Sequence, residues 1–161
     1  MIEMTEGMAL AVIGAGIAIG SSAWAVSMGV GICGAAGCGV IGEHPDKFPK
    51  ILVLEFIPGT QGVYGLLAGL LILLTVGLLG GTPKPISTFM GLAVIGAALS
   101  PAIAEHSSYW QGVTALAGIG AIVKKPEDFG RCVVMAVMSE TYALFGLLGT
   151  VVILFALGLF G

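Results

Sequence analysis

One carboxylate stands where a carboxylate is hard to keep. Glu140 lies in an apolar stretch from Cys132 to Gly161 that holds no other charge. It is 12 residues past Asp128, about 18 Å along a helix that rises 1.5 Å per residue. That depth is near the middle of a bilayer, where an isolated carboxylate costs at least ~2.5–3.5 kcal/mol. A group kept at that depth defaults to a functional reading. The structural alternative is a protonated carboxyl that bonds a neighbouring helix.

Other polar side chains gather at the same depth. Ile57, Thr60, Gln61 and Tyr64 follow i, i+3, i+4, i+7 spacing and share one helical face. Between them, Pro58 removes a backbone donor and Gly59 adds freedom, so carbonyls freed here need a partner. A packing kink accounts for Pro58 and Gly59 but not for Thr and Gln at mid-membrane. Gln111 lies 13 residues before Lys124 and so is also near the bilayer centre. Facing lipid, it would leave four hydrogen-bonding sites unmet. It therefore faces another helix, as interhelical glue or as a ligand. Thr60, Gln61, Gln111 and Glu140 converging on one level favour the ligand reading.

The elements that hold these residues follow from composition. Of 161 residues, 57% are hydrophobic and 9% charged, where a soluble domain averages about 25% charged. Mean hydropathy is +1.08. This excludes an ordinary soluble enzyme, a disordered chain and, at net charge −3 without a basic stripe, a nucleic-acid binder. The runs are apolar throughout rather than alternating, which excludes an outer-membrane barrel. The expected fold is an all-α membrane protein with four spans. Charge punctuates them: a polar loop EHPDKFPK at 43–50, a turn GGTPKP at 80–85, and a second polar loop KKPEDFGR at 124–131. Each apolar stretch exceeds the ~20 residues that cross the hydrocarbon.

The halves repeat. EHPDKF at 43–48 matches KKPEDF at 124–129, YGLL at 64–67 matches FGLL at 145–148, and AVIGA recurs at 11–15 and 93–97. Residues 1–80 and 86–161 are thus expected to be two tandem helical hairpins in the same orientation, unlike inverted-repeat transporters. The repeat places Gly59 opposite Glu140, leaving one mid-membrane carboxylate per four helices. Lys47, Lys50, Lys124, Lys125 and Arg131 sit at the polar loops and only Lys84 at the other end. The polar loops are therefore expected in the cytoplasm, with both termini and the 80–87 turn outside. Glu3 and Glu6 replace the basic residues of a cleaved signal peptide. Cys33, Cys38 and Cys132 match no metal motif and read as small buried thiols.

With PGTQGVYG in the second span, MSETYALFG in the fourth and loops of the KKPE type, the whole chain resembles the membrane proteolipid, or rotor-ring subunit, of V-type and A-type rotary ATPases. The resemblance implies a ring of identical subunits turning against a stator membrane subunit. It puts a central-stalk subunit at the polar loops and an ion on Glu140. It implies a sodium-binding type, with the Ile57 carbonyl, Thr60, Gln61, Gln111 and Glu140 as ligands and Tyr64 bonding the carboxylate. Five oxygens exceed what a proton needs and suit a hard cation. The alternatives are the same rotor carrying H⁺, or a self-contained four-span channel or transporter. The parallel duplication and single carboxylate argue against the second. No Walker motif is present, so the ATP chemistry belongs to other subunits.

Some residues fall outside this frame. Glu55 snorkels toward the interface, steers cations or bonds the next subunit. Glu105, His106, Ser107 and Ser108 depart from the small apolar pattern the resemblance implies. Glu105 lies about 9 Å outward of Gln111 and off its face, whereas Ser107 and Ser108 share that face. The stretch either lines the ring interior, nears the outer interface, or forms a second ion site. Gly14, Gly16, Gly20, Gly29, Gly31, Gly34, Gly37 and Gly39 suit a crowded inner helix. The loop cations suit the stalk, anionic lipid, or topology alone.

Overall fold

The computed structural model describes residues 4–160; Glu3 and Gly161 lie outside them. The described residues form helices, turns and short irregular connections, with no strand among them. Four helical segments are long and apolar enough to cross a membrane: Glu6–Glu43, Pro45–Thr75, Thr88–Lys124 and Pro126–Ala156. The first is one unbroken helix, α1 (Glu6–Glu43). The second comprises α2 (Phe48–Phe56), a 3₁₀ turn at Ile57–Thr60, and α3 (Gln61–Thr75). The third divides into α4 (Thr88–Ala104) and α5 (Ser107–Lys124), and the fourth into α6 (Phe129–Val137) and α7 (Glu140–Ala156).

The three interruptions have local causes or local consequences. Pro58 lacks the N–H that would continue the helix, and the backbone tightens into the 3₁₀ turn. Pro101, inside α4, leaves the Ala97 carbonyl without its helical donor, and the Thr150 hydroxyl from α7 donates to it at 2.9 Å. That bond ties the third span to the fourth. The breaks at Glu105–His106 and Met138–Ser139 lie beside the residues the sequence singles out, and the second puts Glu140 at the start of α7.

Each end of the molecule is laced across the repeat. The Thr5 side chain caps α1 by accepting from the Met8 amide at 3.3 Å, and its hydroxyl lies 3.1 Å from the Ile86 carbonyl. Ser87 caps α4 in the same way at Met90. The Thr88 hydroxyl donates to Glu6 at 2.8 Å, so the N-terminal end and the 80–87 turn adjoin. Gly77 turns the chain there at φ +73°, and a Cβ on it would collide with the Thr82 carbonyl. At the opposite end Lys50 donates to the Pro126 carbonyl at 2.7 Å, joining the two polar loops.

The first span packs along the third and against the second; the fourth packs on the third and second. Glycines allow the closest approaches: Gly7 to Gly91 and Gly29 to Gly112. Gly16, Gly20, Gly31 and Gly39 meet nothing within the chain itself. Only one side of α1 is crowded by its own helices. Of the cysteines, Cys33 is buried and its thiol donates to the Gly112 carbonyl at 3.2 Å, but Cys38 is exposed. Cys38 lies on the uncrowded side, which corrects its reading as a buried thiol.

Two apolar clusters fill the interior. One, toward the termini, includes Ala11, Ala15, Ala68, Ile72, Val94 and Leu154. The other, toward the polar loops, includes Ile51, Leu54, Ala115, Ile119 and Ile122. A layer of buried polar side chains lies between them: Ser22, Gln61, Glu105, Ser108 and Gln111. Buried polar atoms must be paired within the protein at this depth. How they pair defines the site.

Candidate ion-binding site

Glu140 is half-buried where the second, third and fourth spans meet. Its Oε1 lies 2.7 Å from the Thr60 hydroxyl and 2.8 Å from the Tyr64 hydroxyl. Its Oε2 accepts from Gln111 Nε2 at 2.8 Å. Three donors from two other spans thus converge on one carboxyl. Bonds of this kind to an ionised acceptor are the stronger class. The 3₁₀ turn sets Thr60 and Tyr64 one above the other on the face that meets α7.

The network continues away from the carboxyl. Gln61 Nε2 donates to Gln111 Oε1 at 2.8 Å, and the Ser107 hydroxyl donates to Gln61 Oε1 at 2.9 Å. Gln61 and Gln111 are both 0% exposed. The order Ser107 to Gln61 to Gln111 to Glu140 directs every hydrogen toward the carboxyl. The Thr60 oxygen also lies 2.8 Å from the Ile57 carbonyl. One hydroxyl hydrogen serves either that carbonyl or Glu140 at a time. The Ser108 hydroxyl donates to the Pro58 carbonyl at 2.8 Å.

All five proposed ligands therefore meet in one place. Thr60 and Gln111 reach Glu140 directly; Gln61 acts through Gln111, and the Ile57 carbonyl through Thr60. Pro58 and Gly59 shape the turn. A Cβ on Gly59 would find only ordinary contact with Val30, 3.6 Å away, so nothing within the chain requires glycine there. Ser107 is the member that residue types alone did not assign. Its helical face with Gln111 was legible, but its partner on another span was not.

Glu55 stays out of the network. It points at Gly34 of the first span, where a Cβ would stand 2.7 Å from its Oε1, and lines a surface groove of about 240 Å³ with Val30, Phe56 and Gly59. Glu105 corrects an expectation. It lines neither an open interior nor the outer interface but is 0% exposed, turned between the first and second spans. The break at Glu105–His106 interrupts the helical phase that a continuous helix would keep. His106 is exposed instead, with Nδ1 2.9 Å from the Ala102 carbonyl and its ring edge-on to Trp24.

Four apolar spans with a hydrogen-bonded carboxyl where three of them meet define an integral, multi-pass membrane protein. The family model for the C subunit of ATP synthase matches the chain twice, at residues 13–72 and 86–153, and the chain belongs to that family. Its proteins are helical hairpins that assemble as membrane rings. The chain is 37% identical to the A-type ATP synthase subunit K of Methanocaldococcus jannaschii over 98% of its own length and 66% of the relative's. It is 35% identical to the V-type sodium ATPase subunit K of Enterococcus hirae, over 91% of this chain and 90% of that one.

Proposed function

We propose that this chain is a rotor-ring subunit of a V/A-type rotary ATPase that carries Na⁺ across the membrane on Glu140. The observation that carries the reading is the convergence of Thr60, Tyr64 and Gln111 on that one carboxyl. Copies of the chain form a ring turning against a stator membrane subunit, and ion passage is coupled to ATP hydrolysis or synthesis on other subunits. Residues 1–80 and 86–161 serve as two tandem hairpins. The polar loops 43–50 and 124–131 face the cytoplasm and a central stalk, with the termini outside.

Sodium rather than a proton is favoured by the donor set. A proton needs the carboxyl and one acceptor. Glu140, Thr60 and the Ile57 carbonyl offer oxygens as they stand, and Gln61 and Gln111 add theirs once their amides turn, a set that suits a hard cation. With the amides turned as described, Gln61 and Gln111 present hydrogens toward the carboxyl. Turning both end for end would present oxygens instead. Ser107 can serve either orientation, because a hydroxyl both donates and accepts. The sodium ATPase name of one relative supports the same ion.

The test uses a carbodiimide, which attacks protonated carboxyls, on the purified ring. Glu140 should be labelled readily without Na⁺ and slowly with millimolar Na⁺ near neutral pH, K⁺ holding ionic strength constant. Labelling unaffected by Na⁺ would make this a proton rotor and leave the additional oxygens a packing role.

A further inference from the structure

Glu105 is a buried carboxyl that the Glu140 network does not use. It is 0% exposed, and neither of its oxygens has a hydrogen-bond partner. A Cβ on Gly65 would stand 2.7 Å from Glu105 Oε2 and would collide with the Ser22 hydroxyl. The carboxyl thus occupies space that a side chain on α3 would fill, facing Ser22 of α1. The Ser22 oxygen lies 2.6 Å from the Ala18 carbonyl, and its one hydrogen serves that carbonyl or Glu105 at a time. While it serves Ala18, lone pairs of the serine oxygen face lone pairs of the carboxyl. Such a pairing holds only with a positive charge or a hydrogen between the two.

The surrounding elements supply no such charge. Between Glu6 and Glu43 the first span carries no charged residue. From α3 the titratable neighbour is Tyr64, whose hydroxyl donates to Glu140. From the third span itself, His106 is bonded to Ala102 and rests against Trp24. From the fourth, Glu140 stands beyond Tyr64. Burial is already complete within one chain, so no neighbouring copy can reach Glu105 to pair with it. A buried, unpaired carboxylate is not sustained in such surroundings.

We propose that Glu105 is a second cation-binding group in each subunit, holding one monovalent cation between its carboxyl and the Ser22 oxygen. Three oxygens suit a proton better than Na⁺, since a hard metal ion takes about six. Enclosed by the first three spans, this cation stays with the subunit while the one on Glu140 is exchanged. The proposal is independent of which ion Glu140 carries.

Infrared spectra of purified rings test it. Glu140→Gln removes the carrier carboxyl, and comparison with Glu140→Gln/Glu105→Gln isolates the second one. The expected difference is one carboxylic-acid C=O band, present in the single variant through neutral pH and lost in the double. A band that NaCl removes and KCl leaves would identify Na⁺ as the cation at the same site. Identical spectra for the two variants, in both salts and across the titration, would overturn the proposal. Ser22→Ala in the Glu140→Gln background keeps the carboxyl but removes the facing oxygen, so the band should shift. An unshifted band would overturn the pairing, even if the double variant does not assemble.

Discussion

Gly112 and Gly29 meet backbone to backbone: a Cβ on Gly112 would stand 2.6 Å from the Gly29 Cα. This contact sets how closely the first span approaches the third. Gly112 directly follows Gln111, so the contact also seats the amide that bonds Glu140. Helices that touch through glycines cannot accept a methyl group without separating.

Gly112→Ala should therefore destabilise the protein by at least the ~1–3 kcal/mol typical of overpacking, since backbone rather than a pliable side chain is in the way. The measurement is the thermal midpoint and yield of the detergent-extracted ring. An unchanged midpoint would mean that the spans do not meet at this pair.

Glu140→Gln should stop ion transport, because a neutral amide cannot exchange charge with a passing cation. Glu55→Gln should only slow it, since Glu55 faces Gly34 and a surface groove rather than the network. Ion flux in reconstituted vesicles reads both. Equal loss in the two variants would show that the carrier is misassigned.

Tyr64→Phe and Gln111→Ala each remove one hydrogen bond to Glu140. Bonds to charged groups are worth about 1.5–3 kcal/mol. Either change should weaken radioactive sodium binding by roughly tenfold or more. Gln111→Ala also removes a ligand oxygen, so it should weaken Na⁺ more than H⁺. Because Na⁺ and H⁺ compete for one carboxylate, Na⁺ affinity should fall as pH drops. Sodium binding that is independent of pH would place the ion away from Glu140.

Ser107→Ala takes the partner from Gln61 Oε1, a buried acceptor otherwise 2.9 Å from a donor. A neutral hydrogen bond is worth about 1 kcal/mol, so Na⁺ affinity should change by roughly fivefold. Ring assembly should be unaffected, because Ser107 touches the network and not the glycine contacts. The check is sodium protection of Glu140 labelling in the variant ring.

Much of this was legible along the chain. The number of spans follows from the lengths of the apolar runs, and the depth of Glu140 and Gln111 from their distance to the polar loops. The shared face of Ile57, Thr60 and Tyr64 follows from helical spacing. Each of these is a property of one helix measured along its own axis, which periodicity reports directly.

Which face meets which neighbour is a different quantity, and only the packed structure decided it. Helix α1 is apolar all round, so its sequence marks no inward face; the glycine contacts with the third span choose one side and leave Gly16, Gly20 and Cys38 on the other. Gln61 shares Thr60's span yet reaches Glu140 only through Gln111, because adjacent residues on a helix point about 100° apart and α5 stands between. Glu105 lay off the face of Gln111 by helical count, but its burial against Ser22 depends on the break at Glu105–His106 and on the missing side chain of Gly65. Depth is local to each span, whereas azimuth is settled by all four spans packing together.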